Sequence, residues 1–165
     1  MANTELKSDF SDQQMQLEAF ISKRQSLVLA THDAQGACEL GVAPFVLVDG
    51  MFAVLLSGLA AHTRHLEREP RVQIMLLDDE ADSRQPYARL RMSVSCDVTR
   101  LARTEPRSDA IFELLQARFG SIVPLLRDLD DFHVFIFTPK HGRFIAGFGQ
   151  AYRLEELRVV EHLRS

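Results

Sequence analysis

Residues 39–66 contain two apolar runs, a tight turn between them and a short helical pattern, in the sequence ELGVAPFVLVDGMFAVLLSGLAAHTRHL. Asp49-Gly50 is a strong hairpin signal, because both residues tolerate the positive φ that a two-residue turn requires. After Ser57 the apolar spacing changes from period two to a helical period, which ends before Pro70. The stretch therefore predicts a β-hairpin that leads directly into a short helix.

Outside this stretch the sequence mixes strands and helices without a regular βαβ alternation. The predicted strands are residues 26–32, 39–48, 51–57, 72–77, 88–101, 132–138 and 143–152. The predicted helices are residues 11–25, 60–68, 104–120, 121–129 and, as an amphipathic C-terminal helix or tail, 154–165. This order indicates a mainly β (α+β) protein, an antiparallel barrel or sheet with peripheral helices, in a single domain over residues 1–165.

Composition narrows the class of protein. The chain has 165 residues, 46% of them hydrophobic, and a formal charge of -4, so it is long enough to bury its own core without a metal or disulfide. The absence of a basic block argues against nucleic acid and anionic lipid as partners. No apolar run approaches a membrane span and the N-terminus lacks a secretory pattern, so we expect a cytoplasmic protein with Cys38 and Cys96 as free thiols.

The first candidate site follows the hairpin. Ser57-Gly58 delivers a hydroxyl and a glycine to a helix start, where free N–H groups and the dipole attract an anion such as a phosphate or propionate. Thr63 and Arg64 add a second hydroxyl and a fixed positive charge. The alternative is a capped helix with a charged, solvated face. His62 and His65 share a helical face and could bind a metal ion, but the sequence offers no third ligand nearby.

The second candidate is Arg89-Leu90-Arg91 on the predicted fifth strand. Alternation directs both guanidinium groups to the same side, where they would neutralise an acidic cofactor or substrate. A solvated strand face with salt bridges explains the same pattern.

Residues 142–152 contain a Gly-Phe-Gly that lies at a strand end without a Gly-rich helix start, so it fails the dinucleotide-binding fingerprint. Small residues beside aromatic ones there favour close approach of a flat ligand or a second subunit.

Asp131 and His162 form the last candidate pair. A neutral imidazole near the C-terminus could bind a haem iron, with a carboxylate accepting its other N–H group. An inert surface histidine is the simpler reading. The chain has no G-x-S-x-G element, which argues against hydrolysis by a nucleophilic serine.

Four motifs together resemble the pyridoxamine 5′-phosphate oxidase-like FMN-binding split barrels, and within them the HugZ/HutZ-type haem-utilisation branch. They are Ala-Pro-Phe at 43–45, Ser-Gly-Leu-Ala-Ala-His-Thr-Arg-His-Leu at 57–66, Ala-Arg-Leu-Arg at 88–91 and Gly-Arg-Phe-Ile-Ala-Gly-Phe-Gly-Gln-Ala-Tyr at 142–152. The similarity extends over essentially the whole chain. It implies a six-stranded antiparallel split β-barrel that forms a two-fold homodimer with two ligand sites along the subunit interface.

The resemblance also implies roles for the candidate residues. In flavin-binding relatives the phosphate is met at the positions of Ser57, Thr63, Arg64, Arg89 and Arg91, and His65 stands where this branch usually has asparagine. In haem-binding relatives a C-terminal histidine ligates iron, an acidic residue before the sixth strand supports it, and an arginine of the fifth strand meets a propionate. His162, Asp131 and Arg91 match these positions, with His62 also assigned to the cofactor pocket.

Three functions follow as hypotheses. The first is a haem-utilisation protein that binds haem between protomers and degrades it oxidatively with electrons from an unidentified donor. The second is an FMN-dependent oxidoreductase, and the third is a haem storage or delivery module without turnover. A homodimer is expected because a terminal apolar helix and the aromatic strand at 144–148 would be buried by symmetry.

Overall fold

The computed structural model describes residues 9–164. The helices are α1 (Ser11–Lys23), α2 (Ala61–Arg68), α3 (Pro106–Phe119) and α4 (Ile122–Arg127). The strands are β1 (Ser26–His32), β2 (Cys38–Val48), β3 (Met51–Ser57), β4 (Arg71–Leu77), β5 (Arg91–Arg100), β6 (Phe132–Gly147), β7 (Gln150–Glu155) and β8 (Arg158–Leu163). Two short 3₁₀ turns, Glu80–Asp82 and Pro86–Ala88, lie between β4 and β5.

All eight strands pair antiparallel in the order β3-β2-β1-β4-β5-β6-β7-β8. A further pairing of β3 with β6 closes the first six strands into a barrel. The predicted six-stranded antiparallel barrel is therefore confirmed, and β7 and β8 extend the sheet beyond it. Within residues 9–164 no helix is long and apolar enough to cross a membrane.

The hairpin between β2 and β3 turns at Asp49-Gly50, where both residues have positive φ, as the sequence predicts. Strand β3 is apolar on both faces for a structural reason. Phe52 and Val54 belong to the core cluster inside the barrel, whereas Ala53 packs in a second cluster with Ile111 and Leu115 of α3. Helices α3 and α4 therefore cover the outside of the barrel at β3, and α1 contributes to the interior cluster.

Strand β6 is longer than predicted. The sequence analysis places two strands, at 132–138 and 143–152, on either side of Pro139-Lys140-His141-Gly142, but these four residues lie inside one strand of 16 residues. The pairing of β5 with β6 has a bulge between Val94 and Cys96, opposite this segment, and Pro139 pairs with Cys96 there. A bulge accommodates a proline that cannot donate to the ladder, so the strand bends and continues.

The predicted C-terminal helix over residues 154–165 is wrong for the residues that the structure describes. Leu154 lies in β7 and residues 158–163 form β8, joined by a turn in which Glu156 has a φ of 56°. Leu154 and Tyr152 are buried at an interval of two residues, which is the period of a strand. Ser165 lies outside the described residues.

Gly142 provides a test of the bent β6 strand. A Cβ atom at this position would lie 2.3 Å from the carbonyl oxygen of Ser93 and 2.8 Å from the Cβ atom of Val94. We expect Gly142→Ala to lower the free energy of unfolding by about 1–3 kcal/mol, because both neighbours are strand atoms with little freedom to move. Gly147→Ala is the matched control on the same strand, since its nearest neighbours are 3.8 Å away. Equal urea midpoints for the two variants would contradict the close packing.

Candidate functional site

The end of β3 and the beginning of β6 bring Ser57 and Asp131 together. The Ser57 hydroxyl donates to Oδ2 of Asp131 at 2.5 Å, and the Gly58 N–H donates to the Asp131 carbonyl oxygen at 2.7 Å. The Leu59 N–H in turn donates to the Ser57 hydroxyl oxygen at 3.1 Å. Ser57 and Asp131 are both half-buried, so the carboxylate has a defined position and remains accessible.

Helix α2 follows this pair and carries the other predicted hydroxyl and charge. Its first turn has no side-chain cap, and the N–H groups of Thr63 and Arg64 donate to the Ala60 carbonyl oxygen. The N–H groups of the two residues before Thr63 therefore have no cap. Arg64 is exposed and donates to the carbonyl oxygen of Leu59 at 2.7 Å. Thr63 is fully buried, and its Oγ1 has no hydrogen-bond partner among residues 9–164.

The two histidines of α2 pack against the barrel. His65 Nδ1 lies 2.9 Å from the hydroxyl of buried Thr31, and the His62 ring lies over Gly41, where a Cβ atom would come within 2.8 Å of Nδ1. Burial lowers the pKa of His62, with Glu39 opposing this effect and His65 adding to it. The neutral form of the His62 imidazole is therefore favoured.

Arg89 and Arg91 occupy the beginning of β5. Arg91 is the first residue of the strand, whereas Arg89 precedes it at the end of a 3₁₀ turn, so the predicted alternation over both residues is wrong. Arg89 Nε donates to the Asp78 carbonyl oxygen at 2.6 Å, and Arg91 donates to the Arg89 carbonyl oxygen at 2.9 Å. Both side chains are half-buried, and neither has a carboxylate within ion-pair distance in the described part of the chain. Their positive charge remains available to an anion.

Within one protomer the arginine pair lies far from Ser57. Arg91 pairs with Ile145 near the end of β6, whereas Arg100 pairs with Phe135 close to its beginning, where Phe132 pairs with Ser57. Arg91 and Arg100 are separated by about 30 Å along β5 at the usual rise per residue. The arginine pair and the Ser57–Asp131 pair therefore do not form one cleft within a single chain.

His162 lies on β8, opposite Tyr152 of β7. The two rings stack with centroids 4.9 Å apart, and His162 Nε2 lies 3.2 Å from the carbonyl oxygen of Gly149. That carbonyl can only accept, so Nε2 carries the proton and the lone pair is on Nδ1. Arg164 Nε approaches Nδ1 at 3.4 Å.

Three residues near Asp131 escaped the sequence analysis: Arg100, Arg103 and His133. Arg100 donates to His133 Nε2 at 2.9 Å and forms a 3.0 Å ion pair with Glu67 of α2. Arg103 donates to backbone carbonyl groups of the segment that precedes β6. Arg100, Arg103 and His133 line an open cleft of about 520 Å³. No sequence motif marks them, because their partners are distant in the chain.

A metal-ion site and a reactive thiol each place requirements on the described residues. Among residues 9–164 no group of three or more His, Cys, Asp or Glu side chains is placed to hold a metal ion. Cys38 is exposed and Cys96 is buried, both as free thiols. Burial raises the pKa of Cys96 to about 12, which disfavours its thiolate.

A closed six-stranded antiparallel barrel with guanidinium, hydroxyl and imidazole groups at its strand ends defines this chain as a split-barrel protein. The chain belongs to the pyridoxamine 5′-phosphate oxidase family, which it matches over residues 14–146.

The similar proteins include one from Vibrio cholerae named heme oxygenase HutZ. It is 37% identical over 146 residues, which cover 88% of this chain and 83% of HutZ. A crystal structure of HutZ, described as a heme storage protein, has a TM-score of 0.73 at 34% identity over 76% of this chain and 89% of that one. The structure of Campylobacter jejuni ChuZ has a TM-score of 0.85 at 30% identity and covers 94% of this chain, which spans 63% of the ChuZ chain.

The environment of His133 predicts a pH dependence of stability. Burial, Arg100 and Arg103 lower the pKa of His133, while Glu67 and Asp131 act in the opposite direction. The folded protein therefore binds fewer protons than the unfolded chain just below the ordinary histidine pKa, and stability falls as pH falls through that window. We expect a lower urea midpoint at about pH 5.5 than at about pH 7.5, and a smaller decline in His133→Gln.

His62→Gln should also reduce this decline, because burial lowers the pKa of His62 as well. In the double variant the urea midpoint should change less with pH than in either single variant. An unchanged pH dependence in all three variants would contradict the assignment.

Proposed function

We propose that this protein is a haem-utilisation protein that binds haem between the two subunits of a homodimer. The observation that carries the proposal is the arrangement of His162, whose imidazole is oriented by Tyr152 and held in one tautomer by the Gly149 carbonyl group. Iron-binding histidines typically donate their other ring N–H to such an acceptor. The names of HutZ, a heme oxygenase and a heme storage protein, support the same ligand.

Arg89 and Arg91 fit the acidic edge of haem. Their guanidinium groups donate only to backbone carbonyl oxygens in the part of the chain that the structure describes, so their charge is not neutralised internally. A propionate would receive charge-assisted hydrogen bonds there, and a flavin phosphate would receive them equally well. The arginine pair therefore supports an anionic cofactor without choosing between the two, and His162 supplies the preference for haem.

The distance between Asp131 and His162 is the reason for placing the cofactor at a dimer interface. His162 pairs with Tyr152, which pairs with Phe144, and Phe144 lies about 40 Å along β6 from Phe132, the neighbour of Asp131. A carboxylate of one protomer would approach the imidazole of the other only if two chains meet with the ends of their β6 strands side by side. In that arrangement Asp131 would accept the Nε2–H of the imidazole in place of the Gly149 carbonyl group and so increase the basicity of the iron ligand.

The surface that we propose as the dimer interface is the outer face of β2, β1 and β4. Val42 and Leu40 are 66% and 70% exposed and lie in register with Val28 and Ala30 of β1. Val28 in turn pairs with Met75 of β4, and these five residues are named here the apolar sheet face. Leu77 continues it to Arg91, with which it pairs. An isologous contact through this face would bury it and bring Arg91 next to the partner.

The two features from which the sequence predicts a homodimer, a terminal apolar helix and an exposed aromatic strand at 144–148, are not present in the structure of residues 9–164. The terminal segment is a strand, and Phe144 is fully buried in the core of its own chain. Phe148 is 81% exposed in the turn between β6 and β7, and it is not one of the residues of the apolar sheet face. The homodimer therefore rests on the apolar sheet face and on the separation of Asp131 from His162.

When bound, haem supplies the oxygen-activating chemistry, and the chain supplies binding and orientation. His162 would provide a nitrogen ligand to the iron and Arg91 would hold a propionate, while the Ser57 hydroxyl fixes the carboxylate of Asp131. Oxidative degradation needs electrons from a separate donor, and without one the same site stores or delivers haem. Spectral loss of haem on addition of reductant and oxygen distinguishes degradation from storage.

An FMN-dependent oxidoreductase is the second candidate, favoured by the uncapped first turn of α2 beside Ser57 and Arg64. A hydroxyl, free N–H groups and a guanidinium at a helix start suit a phosphate. The family description, pyridoxamine 5′-phosphate oxidase, agrees with this candidate. A purified protein with flavin absorbance that is lost in Arg64→Ala would support it over haem.

Replacement of the proposed iron ligand tests the leading function. We expect wild-type protein to give a sharp, saturable Soret band with about one haem per protomer, and His162→Ala to weaken haem binding by more than about 100-fold. His141→Ala is the matched control, because His141 is an exposed histidine on β6 whose Nδ1 lies 2.7 Å from Glu155 and which is on none of the strands of the proposed interface.

Two outcomes would overturn the proposal. An unchanged Soret band in His162→Ala would remove the ligand assignment, and a flavin spectrum without a saturable haem response would replace haem by FMN.

A charge placed on the apolar sheet face tests the dimer. Val42→Asp should convert a dimer to the 18.7 kDa monomer in light scattering, because an isologous interface would bury two unpaired carboxylates. Leu125→Asp is the control, since Leu125 is 64% exposed on α4, away from this face. A wild-type protein that is already monomeric, or a Val42→Asp variant that remains dimeric, would contradict the assigned interface.

A further inference from the structure

Arg103 lies between β5 and α3, on the side of the barrel where β6 begins. Its guanidinium donates to the carbonyl oxygens of Arg127 at 2.7 Å and of Phe132 at 3.1 Å, and also to that of Leu129. Its Nε makes a second contact with the Phe132 oxygen at 3.3 Å. One side chain thus joins the end of β5 to three backbone groups of residues 127–132.

Residues 127–130 are exposed and contribute no side chain to either core cluster. The segment therefore owes little of its shape to apolar packing. Arg127 at its start is held by an ion pair with Asp109 and lies over the Phe112 ring, and the Leu129 N–H donates to the Leu126 carbonyl group at 3.2 Å. Arg103 adds charged donors to the carbonyl groups that these contacts leave unpaired, and such hydrogen bonds are stronger than those between neutral groups.

Asp131 lies between two of the carbonyl groups that Arg103 holds, those of Leu129 and Phe132. Its own carbonyl and carboxylate groups accept hydrogen bonds from Gly58 and Ser57 on the other side. The carboxylate is thus fixed by β3 on one side and by Arg103 on the other. Without Arg103, the turn would keep the Gly58 and Ser57 contacts and the 3.3 Å bond from the Phe132 N–H to Leu129. Among the described residues, however, no other side chain donates to the carbonyl oxygens of Leu129 and Phe132.

We propose that Arg103 is a positioning residue for Asp131: its guanidinium sets the backbone of residues 127–132 so that the Asp131 carboxylate would be presented to the imidazole of the partner's His162. The proposal rests on the proposed haem-binding function. It assigns Arg103 no contact with haem. Its effect on the iron passes through the orientation, and hence the hydrogen bond, of Asp131.

The first test uses haem-free protein. In Arg103→Gln we expect amide hydrogen exchange at Gly58 and Phe132, measured by NMR, to become at least about ten-fold faster, which corresponds to the loss of one such hydrogen bond. Exchange at Val54 inside the barrel should not change. Arg107→Gln is the matched control, because Arg107 is an exposed arginine of α3 whose side chain donates to Met51 Sδ at 3.8 Å and to no backbone carbonyl group of residues 127–132.

The second test uses haem-loaded protein and measures the reduction potential of the iron. Asp131→Asn should shift the potential to a more positive value, because the imidazole becomes a weaker donor. Arg103→Gln should shift it in the same direction, and the double variant should show no further shift. If Arg103→Gln does not fold, Arg103→Lys offers the same comparison, since lysine keeps the charge but lacks the planar set of donors.

The outcomes separate the inference from the function on which it rests. Unchanged exchange at Gly58 overturns the role of Arg103 whether or not haem binds. A second outcome is that Arg103→Gln speeds exchange but keeps the wild-type reduction potential, while Asp131→Asn shifts the potential. Arg103 would then only stabilise the segment, and the inference would be overturned. A potential that neither variant moves refutes the role of Asp131, and failure to bind haem refutes the proposed function.

Discussion

Strand β6 pairs with three strands, and the arrangement of the whole molecule depends on this pairing. Its first half pairs with β3 and closes the barrel, its second half pairs with β7, and β5 pairs with both halves. A straight strand of 16 residues could not leave the barrel and also carry an extension. The bulge opposite Pro139 and the close approach of Gly142 to Ser93 allow the bend.

The same strand separates the polar groups that could bind a cofactor. Asp131 and Ser57 lie where β6 begins, whereas the rows that contain Arg91 and His162 cross its far half. A single chain thus has a complete barrel core, but its Ser57–Asp131 pair and its Arg91 and His162 side chains are too far apart to form one site. A two-fold axis beside the apolar sheet face would place the beginning of one β6 near the end of the other. The proposed site therefore requires the proposed interface, because it needs residues from both protomers.

The sequence predicts most of the fold because its signals are local. The hairpin at Asp49-Gly50 and the strand at 26–32 depend on turn chemistry and on alternation, and both occur as predicted. The continuous β6 and the terminal strand β8 are different, since each depends on a partner distant in sequence. A proline opposite a bulge resembles a strand break, and a short amphipathic end resembles a helix until its neighbour is known.

The candidate site shows the same division. Ser57, Arg64 and Asp131 could be selected from the sequence because a hydroxyl, a charge or an acid occurs beside a predicted strand end. Arg103 could not, because its acceptors are backbone carbonyl groups 24 to 29 residues away, and backbone groups carry no sequence signal. The separation of the arginine pair from Ser57 was also hidden, since it depends on which end of β5 meets which end of β6.

The groups that suit an anion do not distinguish a flavin from a haem, because a phosphate and a propionate ask for the same donors. What differs is the need of iron for a neutral nitrogen ligand. Of the six histidines, His62 and His65 pack against β2 and β1, His133 accepts from Arg100, and His141 faces Glu155. His32 Nδ1 lies 3.0 Å from the carbonyl oxygen of Asp33. His162 instead has its proton on the side of a carbonyl group, with only an arginine of the flanking tail near its other nitrogen. The proposal of haem rather than FMN thus rests on one imidazole, and iron bound at its Nδ1 would replace the 3.4 Å hydrogen bond from Arg164.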